Sequence, residues 1–93
     1  MSDNIVIRVK ILNKIGLHAR PAARFSETCR KFKSKIIVKR NGQQANGKSL
    51  LDILKLNVVQ GDEIEIEIIG EDAESAKNSM LEVINKINNG EIQ

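Results

Sequence analysis

The only histidine of this 93-residue chain, His18, stands in the segment GLHARPAA, which runs from Gly16 to Ala23. Small and apolar residues spaced by three and four predict an amphipathic helix directly after it, with Pro21 in the first turn. The first turn of a helix has unpaired N–H groups and a positive dipole end, which stabilise an anion and disfavour imidazolium. His18 is therefore a candidate nucleophile that accepts a phosphoryl group and holds it at the helix start.

Basic residues follow the histidine along the predicted helix. We expect Arg20 to pair with the phosphoryl oxygens, because its planar fork of donors suits phosphate better than a lysine ammonium. Arg24 and Arg30, and Lys48 if the second helix packs nearby, are predicted to extend a basic surface toward acidic partners. A simpler interpretation stays open, in which His18 is a surface or capping side chain and the arginines form a solvated helix face.

A second segment, GQQANGKS, fits the G-x-x-x-x-G-K-[ST] pattern of a phosphate-binding loop letter for letter. A true loop of that kind joins a buried strand directly to a helix. Here Asn41 and Gly42 are a pair typical of tight hairpins, so a return strand is predicted to intervene before Lys48. We therefore expect no ATP site in this segment, although a nucleotide-binding enzyme is the alternative that it raises. Ser49 is predicted to cap a short helix.

The remaining patterns predict the elements that position these residues. Alternating apolar residues predict half-buried strands near residues 5–11, 35–40 and 63–69. Helical spacing predicts a last helix that Asp72 caps and that Asn89 and Gly90 end. The order is therefore βαββαβα within one domain spanning residues 1–93. We expect an α+β open-faced β-sandwich, in which a four-stranded antiparallel sheet carries three helices on one face.

The amino-acid composition argues against several classes of protein. The formal net charge is only +3, with two Phe, no Trp and no Tyr, which argues against a nucleic-acid-binding surface. The single cysteine, Cys29, excludes an internal disulfide and a cysteine-rich metal site, and its place on the apolar helix stripe predicts burial. Charges interrupt the apolar residues of the N-terminal segment, so neither a signal peptide nor membrane insertion is predicted. A cytoplasmic location is the expectation.

Together, GLHARPAA and the later segment ANGKSLLDILKL closely resemble HPr, the histidine-containing phosphocarrier family of the phosphoenolpyruvate-dependent sugar phosphotransferase system. The likeness extends over essentially the whole chain. It implies that His18 accepts phosphate on Nδ1 from phosphorylated Enzyme I and passes it to an Enzyme IIA component, with Arg20 supporting the transfer. It also implies a stoichiometric carrier, not a turnover enzyme, that needs neither a metal nor an organic cofactor.

The same resemblance gives a role to the segment that starts at Ser49. In many Gram-positive members the matching serine is phosphorylated by an ATP-using kinase, the HPr kinase/phosphorylase, so Ser49 is the candidate regulatory site. The family's apolar docking surface matches Leu50, Leu51 and Leu54, which by their pattern alone are equally typical of ordinary core. Asp52 stands where family members commonly have glycine, and its carboxylate is expected to repel a phosphate on Ser49.

A rival interpretation is a regulatory binding module. In that case the surface from Leu50 to Leu54 docks on a transcription regulator or a kinase, and phosphate at His18 or Ser49 selects the partner. Nitrogen-related and carbon-regulation paralogues keep the same histidine motif, so the sequence leaves this alternative open. A carrier that docks on two proteins in turn has reason to be a monomer, and a monomer is our expectation.

Overall fold

The computed structural model describes residues 3–93. The elements follow in the order β1 (Asp3–Lys10), α1 (Ala19–Cys29), β2 (Lys35–Arg40), β3 (Gln43–Asn46), α2 (Leu50–Lys55), β4 (Glu63–Gly70) and α3 (Ala73–Asn88). The strands form one antiparallel sheet with the spatial order β1-β4-β2-β3. The predicted βαββαβα order and the α+β open-faced sandwich are confirmed.

β4 shows why the sheet has one dry face and one wet face. Three of its isoleucines are fully buried under the helices: Ile64, Ile66 and Ile68. The glutamates between them point to the other face, where Lys39 Nζ lies 3.6 Å from Glu65 Oε2 and 3.1 Å from Glu67 Oε1. A buried isoleucine stabilises the fold by about 2 kcal/mol, whereas an exposed ion pair contributes about 0.5 kcal/mol. Burial of the isoleucines therefore sets the register.

The hairpin between β2 and β3 turns at the predicted pair. Asn41 has a φ of +48° and Gly42 a φ of +81°, the positive values that a two-residue hairpin turn requires. After β3, the Gly47 N–H donates to the Ile36 carbonyl at 2.8 Å and keeps the chain on the sheet. A strand thus separates Gly42 from Lys48. The segment that fits the phosphate-loop pattern is a hairpin, and it does not wrap its N–H groups around one point.

Asp72 occupies the predicted N-cap position of α3, but its carboxylate makes no side-chain cap. Asp72 Oδ2 accepts from the Lys33 N–H at 2.8 Å, and Oδ1 accepts from the Ser34 N–H at 2.9 Å and from the Ser34 hydroxyl. The Ser34 hydroxyl, followed by the Lys33 N–H, holds the pKa of Asp72 below its usual value. The carboxylate therefore ties the α1–β2 connection to the start of α3.

Cys29 lies in the core between α1 and α3. The residue is fully buried, and its Sγ lies 3.4 Å from Met80 Sδ. Burial raises the pKa of the Cys29 thiol to about 12, against the smaller opposing effects of Lys48 and Arg30. A thiol of this kind stays protonated at neutral pH and is a poor nucleophile. The prediction of a small buried apolar residue is confirmed.

α3 is the longest helix, with 16 residues. Its buried stripe packs over the sheet and consists of Ala73, Ala76, Met80, Val83, Ile84 and Ile87. The helix ends at Asn88, and Gly90 follows with a φ of +86°, as the sequence predicted. Within residues 3–93, neither α3 nor any other helix has the length and apolar character that crossing a membrane requires.

Candidate functional site

His18 is the residue immediately before α1, as predicted. Its backbone is extended, with φ −130° and ψ 163°, and its side chain makes no cap hydrogen bond to the helix. The residue is partly exposed, and no acidic side chain lies in the first turn of α1. The capping interpretation of His18 is therefore wrong. The imidazole stands at the positive end of the helix with its ring nitrogens not engaged in capping.

The peptide between the histidine and the helix has an unusual conformation. Ala19 has a φ of +51°, in the left-handed region that residues with a Cβ rarely adopt. This costs about 1 kcal/mol, so the surrounding structure has to impose it. Such conformations cluster at functional sites. No sequence pattern indicates this angle, because an alanine at a helix start is normally typical of ordinary helical geometry.

The β1–α1 loop, residues 11–18, rests on the α2–β4 loop, residues 56–62. Leu17 is fully buried, and its N–H donates to the Val58 carbonyl at 3.1 Å. Gly16 has a φ of +68°, and a Cβ on it would lie 2.2 Å from the Val58 oxygen. From the other side, Asn13 Nδ2 donates to the Gly16 carbonyl at 2.9 Å. The backbone that carries the histidine is thus fixed, although the ring is accessible.

Arg20 and Arg24 lie on the exposed surface of α1. They are four residues apart, so they share one face of the helix. Neither forms a salt bridge with another residue in the part of the chain that the structure describes. Both guanidinium groups are therefore available to an anion near the start of α1, and Arg20 is the closer of the two to His18 in the chain.

Arg30 and Lys48 lie at the other end of α1. Arg30 follows the last residue of the helix, about 16 Å along the axis from Ala19 at 1.5 Å per residue. Its Nη1 donates to the Lys48 carbonyl at 3.2 Å and to Ser26 Oγ at 3.4 Å. Lys48 Nζ donates to the Phe32 carbonyl at 2.6 Å. These two side chains join the end of α1 to the turn before α2, and the structure does not bring them to the histidine.

Ser49 is the N-cap of α2, as predicted. Its backbone is extended, with φ −105° and ψ 113°, and its Oγ accepts from the Asp52 N–H at 3.3 Å. The Asp52 carboxylate points toward the end of β3, where its Oδ2 accepts from the Asn46 N–H at 3.2 Å. A negative charge is therefore already present one helical turn from the serine hydroxyl.

The leucines of α2 divide between the core and the surface. Leu51 is 71% exposed and Leu50 is 36% exposed, whereas Leu54 is partly buried against the core and Ile53 is fully buried. The core interpretation is therefore wrong for Leu50 and Leu51. The end of α2 leads into the α2–β4 loop, whose Val58 carbonyl accepts from the N–H of Leu17, the residue before His18. The exposed leucines form an apolar patch on that short helix.

Within residues 3–93, no three side chains of His, Cys, Asp or Glu are grouped so that they could hold a metal ion. The arrangement that the structure does provide is an accessible imidazole at a helix start, two exposed arginines on that helix without a salt bridge to any described residue, and an apolar patch on the neighbouring helix. It suits the temporary attachment of an anion and contact with another protein.

Comparison with known proteins identifies similar chains. Residues 5–86 match a family model described as PTS HPr component phosphorylation site. The phosphocarrier protein HPr of Neisseria meningitidis is 38% identical over 77 residues, covering 83% of this chain and 86% of the relative. The crystal structure of HPr-C-His from Thermoanaerobacter tengcongensis has a TM-score of 0.87 at 36% identity, covering 91% of this chain and 96% of that one. An HPr dimer from the same organism has a TM-score of 0.72 at 40% identity, covering 84% and 90%.

Proposed function

Because this chain belongs to the HPr family of phosphocarrier proteins, we propose that it accepts a phosphoryl group on His18 and passes it to another protein. The observation that carries the proposal is the position of His18, accessible and uncapped at the positive end of α1. A phosphoryl group attached there would meet helix N–H groups that have no acidic side chain beside them.

The proposed transfer has two steps that mirror each other. A ring nitrogen of neutral His18, Nδ1 by likeness to the family, attacks the phosphorus of the donor. The P–N bond forms as the bond between phosphorus and the donor's leaving atom breaks. A nucleophile of the acceptor then attacks the same phosphorus, the P–N bond breaks, and the imidazole is restored. The chain is itself the acceptor of the first step and the donor of the second, one phosphoryl group per molecule, so in this proposal it is a stoichiometric carrier and not an enzyme.

The partners in this proposal are Enzyme I as the phosphoryl donor and an Enzyme IIA component as the acceptor. The exposed Leu50 and Leu51, with Leu54 beside them, support a docking surface on α2, the helix that leads into the loop supporting the β1–α1 loop. Arg24 is proposed to complement acidic side chains of either partner. We propose that the chain is a monomer, because one surface has to meet both partners in turn. We also propose that it acts in the cytoplasm. A dimeric mass in solution would contradict the monomer.

Reconstitution tests the proposal. Phosphoenolpyruvate, Enzyme I, this chain and an Enzyme IIA component are combined, and phosphate on the acceptor is measured. We expect the acceptor to be phosphorylated only when the chain is present. A chain that binds its partners but passes no phosphate, while a control carrier does, would contradict the carrier function. That result would favour the regulatory binding module instead.

Arg20→Ala is expected to slow phosphorylation by Enzyme I about tenfold or more, because it removes a charge-assisted donor to the transferred oxygens. The free energy of unfolding should not change, since Arg20 is exposed and forms no salt bridge within residues 3–93. Rapid-quench kinetics and urea titration measure the two quantities. Lys31→Ala, which removes one exposed positive charge just beyond the far end of α1, is the matched control. A wild-type rate in Arg20→Ala would remove Arg20 from the transfer.

Regulation through Ser49 is a finer part of the proposal. Phosphate at an N-cap position leaves the helix intact but adds charge to the surface that meets partners. We propose that the Asp52 carboxylate slows phosphorylation of Ser49, because it repels the incoming phosphate. The variant Asp52→Asn removes this like-charge pair. We therefore expect an HPr kinase to phosphorylate it about twofold faster than the wild-type chain. Glu74→Gln, on the exposed side of α3, is the control for net charge. Equal rates in both variants would show that Asp52 has no local effect.

A further inference from the structure

The α2–β4 loop supports the β1–α1 loop at both of its ends. At the start, the Ile11 N–H donates to the Asp62 carbonyl at 2.8 Å, and the Gly61 N–H donates to the Ile11 carbonyl at 2.7 Å. At the other end, the Leu17 N–H donates to the Val58 carbonyl at 3.1 Å. The position of the residue that follows Leu17 therefore depends on the shape of the α2–β4 loop.

One ion pair fixes that shape. Arg40, the last residue of β2, donates from Nε to Asp62 Oδ2 at 2.8 Å and from Nη1 to the Leu56 carbonyl at 3.2 Å. The same Oδ2 of Asp62 accepts from the Val59 N–H at 2.8 Å. The two side chains thus link the first, a central and the last residue of the α2–β4 loop.

The pair is partly shielded from solvent, with the Arg40 and Asp62 side chains 21% and 23% exposed. The Val59 N–H, followed by the Arg40 guanidinium, holds the pKa of Asp62 below its usual value, so the carboxylate is charged at neutral pH. Charge-assisted hydrogen bonds of this kind are stronger than neutral ones, and two of the three contacts join a side chain to backbone. They constrain the loop more than a fully exposed ion pair would.

We infer that the ion pair of Arg40 and Asp62 is a positioning element of the phosphotransfer site. It holds the α2–β4 loop, on which Gly16 and Leu17 pack, and thereby sets where the His18 ring stands at the start of α1. Both residues act through backbone and take no part at the reacting atoms. The inference rests on the proposed function of His18, and its test separates the two.

The first measurement compares Arg40→Gln with Lys39→Gln. Lys39 is the neighbouring residue in β2, but it points to the outer face of the sheet and pairs there with Glu65 and Glu67. We expect Arg40→Gln to lower the rate of His18 phosphorylation by Enzyme I about tenfold, because small misplacements of a reacting group reduce rates steeply. Lys39→Gln should keep the wild-type rate. Arg40→Lys keeps the positive charge but loses the planar fork of guanidinium donors. Its rate should lie between those of Arg40→Gln and the wild-type chain.

The second measurement does not use phosphate. Hydrogen exchange of the Leu17 amide is followed by NMR and referred to the Ile66 amide in β4, a strand that is paired on both sides. We expect Leu17 to exchange at least about fivefold faster relative to Ile66 in Arg40→Gln and to be unchanged in Lys39→Gln. The ratio separates opening of the β1–α1 loop from global unfolding.

Each outcome bears on one claim. Unchanged Leu17 exchange in Arg40→Gln, or equal effects in Arg40→Gln and Lys39→Gln, would overturn the positioning role. A wild-type chain that Enzyme I does not phosphorylate would overturn the proposed function, whereas the exchange measurement would still decide whether the ion pair holds the loop. Faster Leu17 exchange together with a slower transfer, confined to the Arg40 variants, would support the inference.

Discussion

His18→Ala is expected to abolish phosphate flow through the chain and to leave its fold intact. The substitution removes the only imidazole of the sequence. It also removes little packing, because the residue is partly exposed and its side chain makes no cap hydrogen bond. We expect no phosphate on the acceptor in the reconstituted system and a free energy of unfolding within about 0.5 kcal/mol of wild type. Urea titration measures the stability.

Competition provides the control for this variant. If the docking surface is separate from the nucleophile, His18→Ala still binds Enzyme I and inhibits phosphorylation of the wild-type chain competitively. Loss of both transfer and competition, in a folded variant, would mean that the imidazole is needed for docking, and the loss of transfer would then no longer identify it as the nucleophile. Transfer at the wild-type rate in His18→Ala would place the carrier residue elsewhere in the chain.

Gly16→Ala is expected to damage the same site without touching the imidazole. The residue has a φ of +68°, and an added Cβ would lie 2.2 Å from the Val58 oxygen and 2.8 Å from the Val59 Cα. These are backbone atoms that cannot rotate away, so the β1–α1 loop has to shift and the hydrogen bond from the Leu17 N–H is lost. We expect the free energy of unfolding to fall by about 3 kcal/mol or more and the transfer to slow.

Gly42→Ala isolates the cost of the backbone angle alone. Gly42 has a φ of +81°, and apart from Gly42 and its two chain neighbours no residue places a heavy atom within 4 Å of the position that its Cβ would take. This substitution should cost about 1 kcal/mol and leave the transfer rate unchanged. The urea midpoints of the two variants give the comparison. Equal destabilisation by both substitutions would show that the close contact of Gly16 with the α2–β4 loop has no energetic weight.

The parts of the fold that were predicted correctly depend on local signals. The alternation of isoleucine and glutamate in β4 and the pair Asn41 and Gly42 each set the backbone within a few residues. Two positive φ angles were not predicted. Asn57, just after α2, has a φ of +52°, and asparagine at a helix end is a signal that could have predicted it. Ala19 has no such signal, because tertiary packing imposes its angle.

The candidate site likewise has parts that local signals in the sequence predict and parts that depend on tertiary contacts. His18 before α1 and Ser49 at the start of α2 could be placed from the sequence, because a residue before a helix is defined by the helix itself. The partners of Arg30 and Lys48 could not, since they depend on which ends of which elements meet. Likewise, no sequence pattern predicts that Arg40 and Asp62 form a pair, because they are 22 residues apart.

The measurement that tests the central claim most directly is the site and chemistry of the phosphate on the native chain. The protein is incubated with phosphoenolpyruvate and Enzyme I, and its intact mass is measured before and after exposure to acid and to base. We predict one phosphate that is lost in acid, survives base and maps to the peptide containing His18. An acid-stable phosphate, a phosphate on Ser49, or no phosphate while a control carrier is phosphorylated would contradict the account.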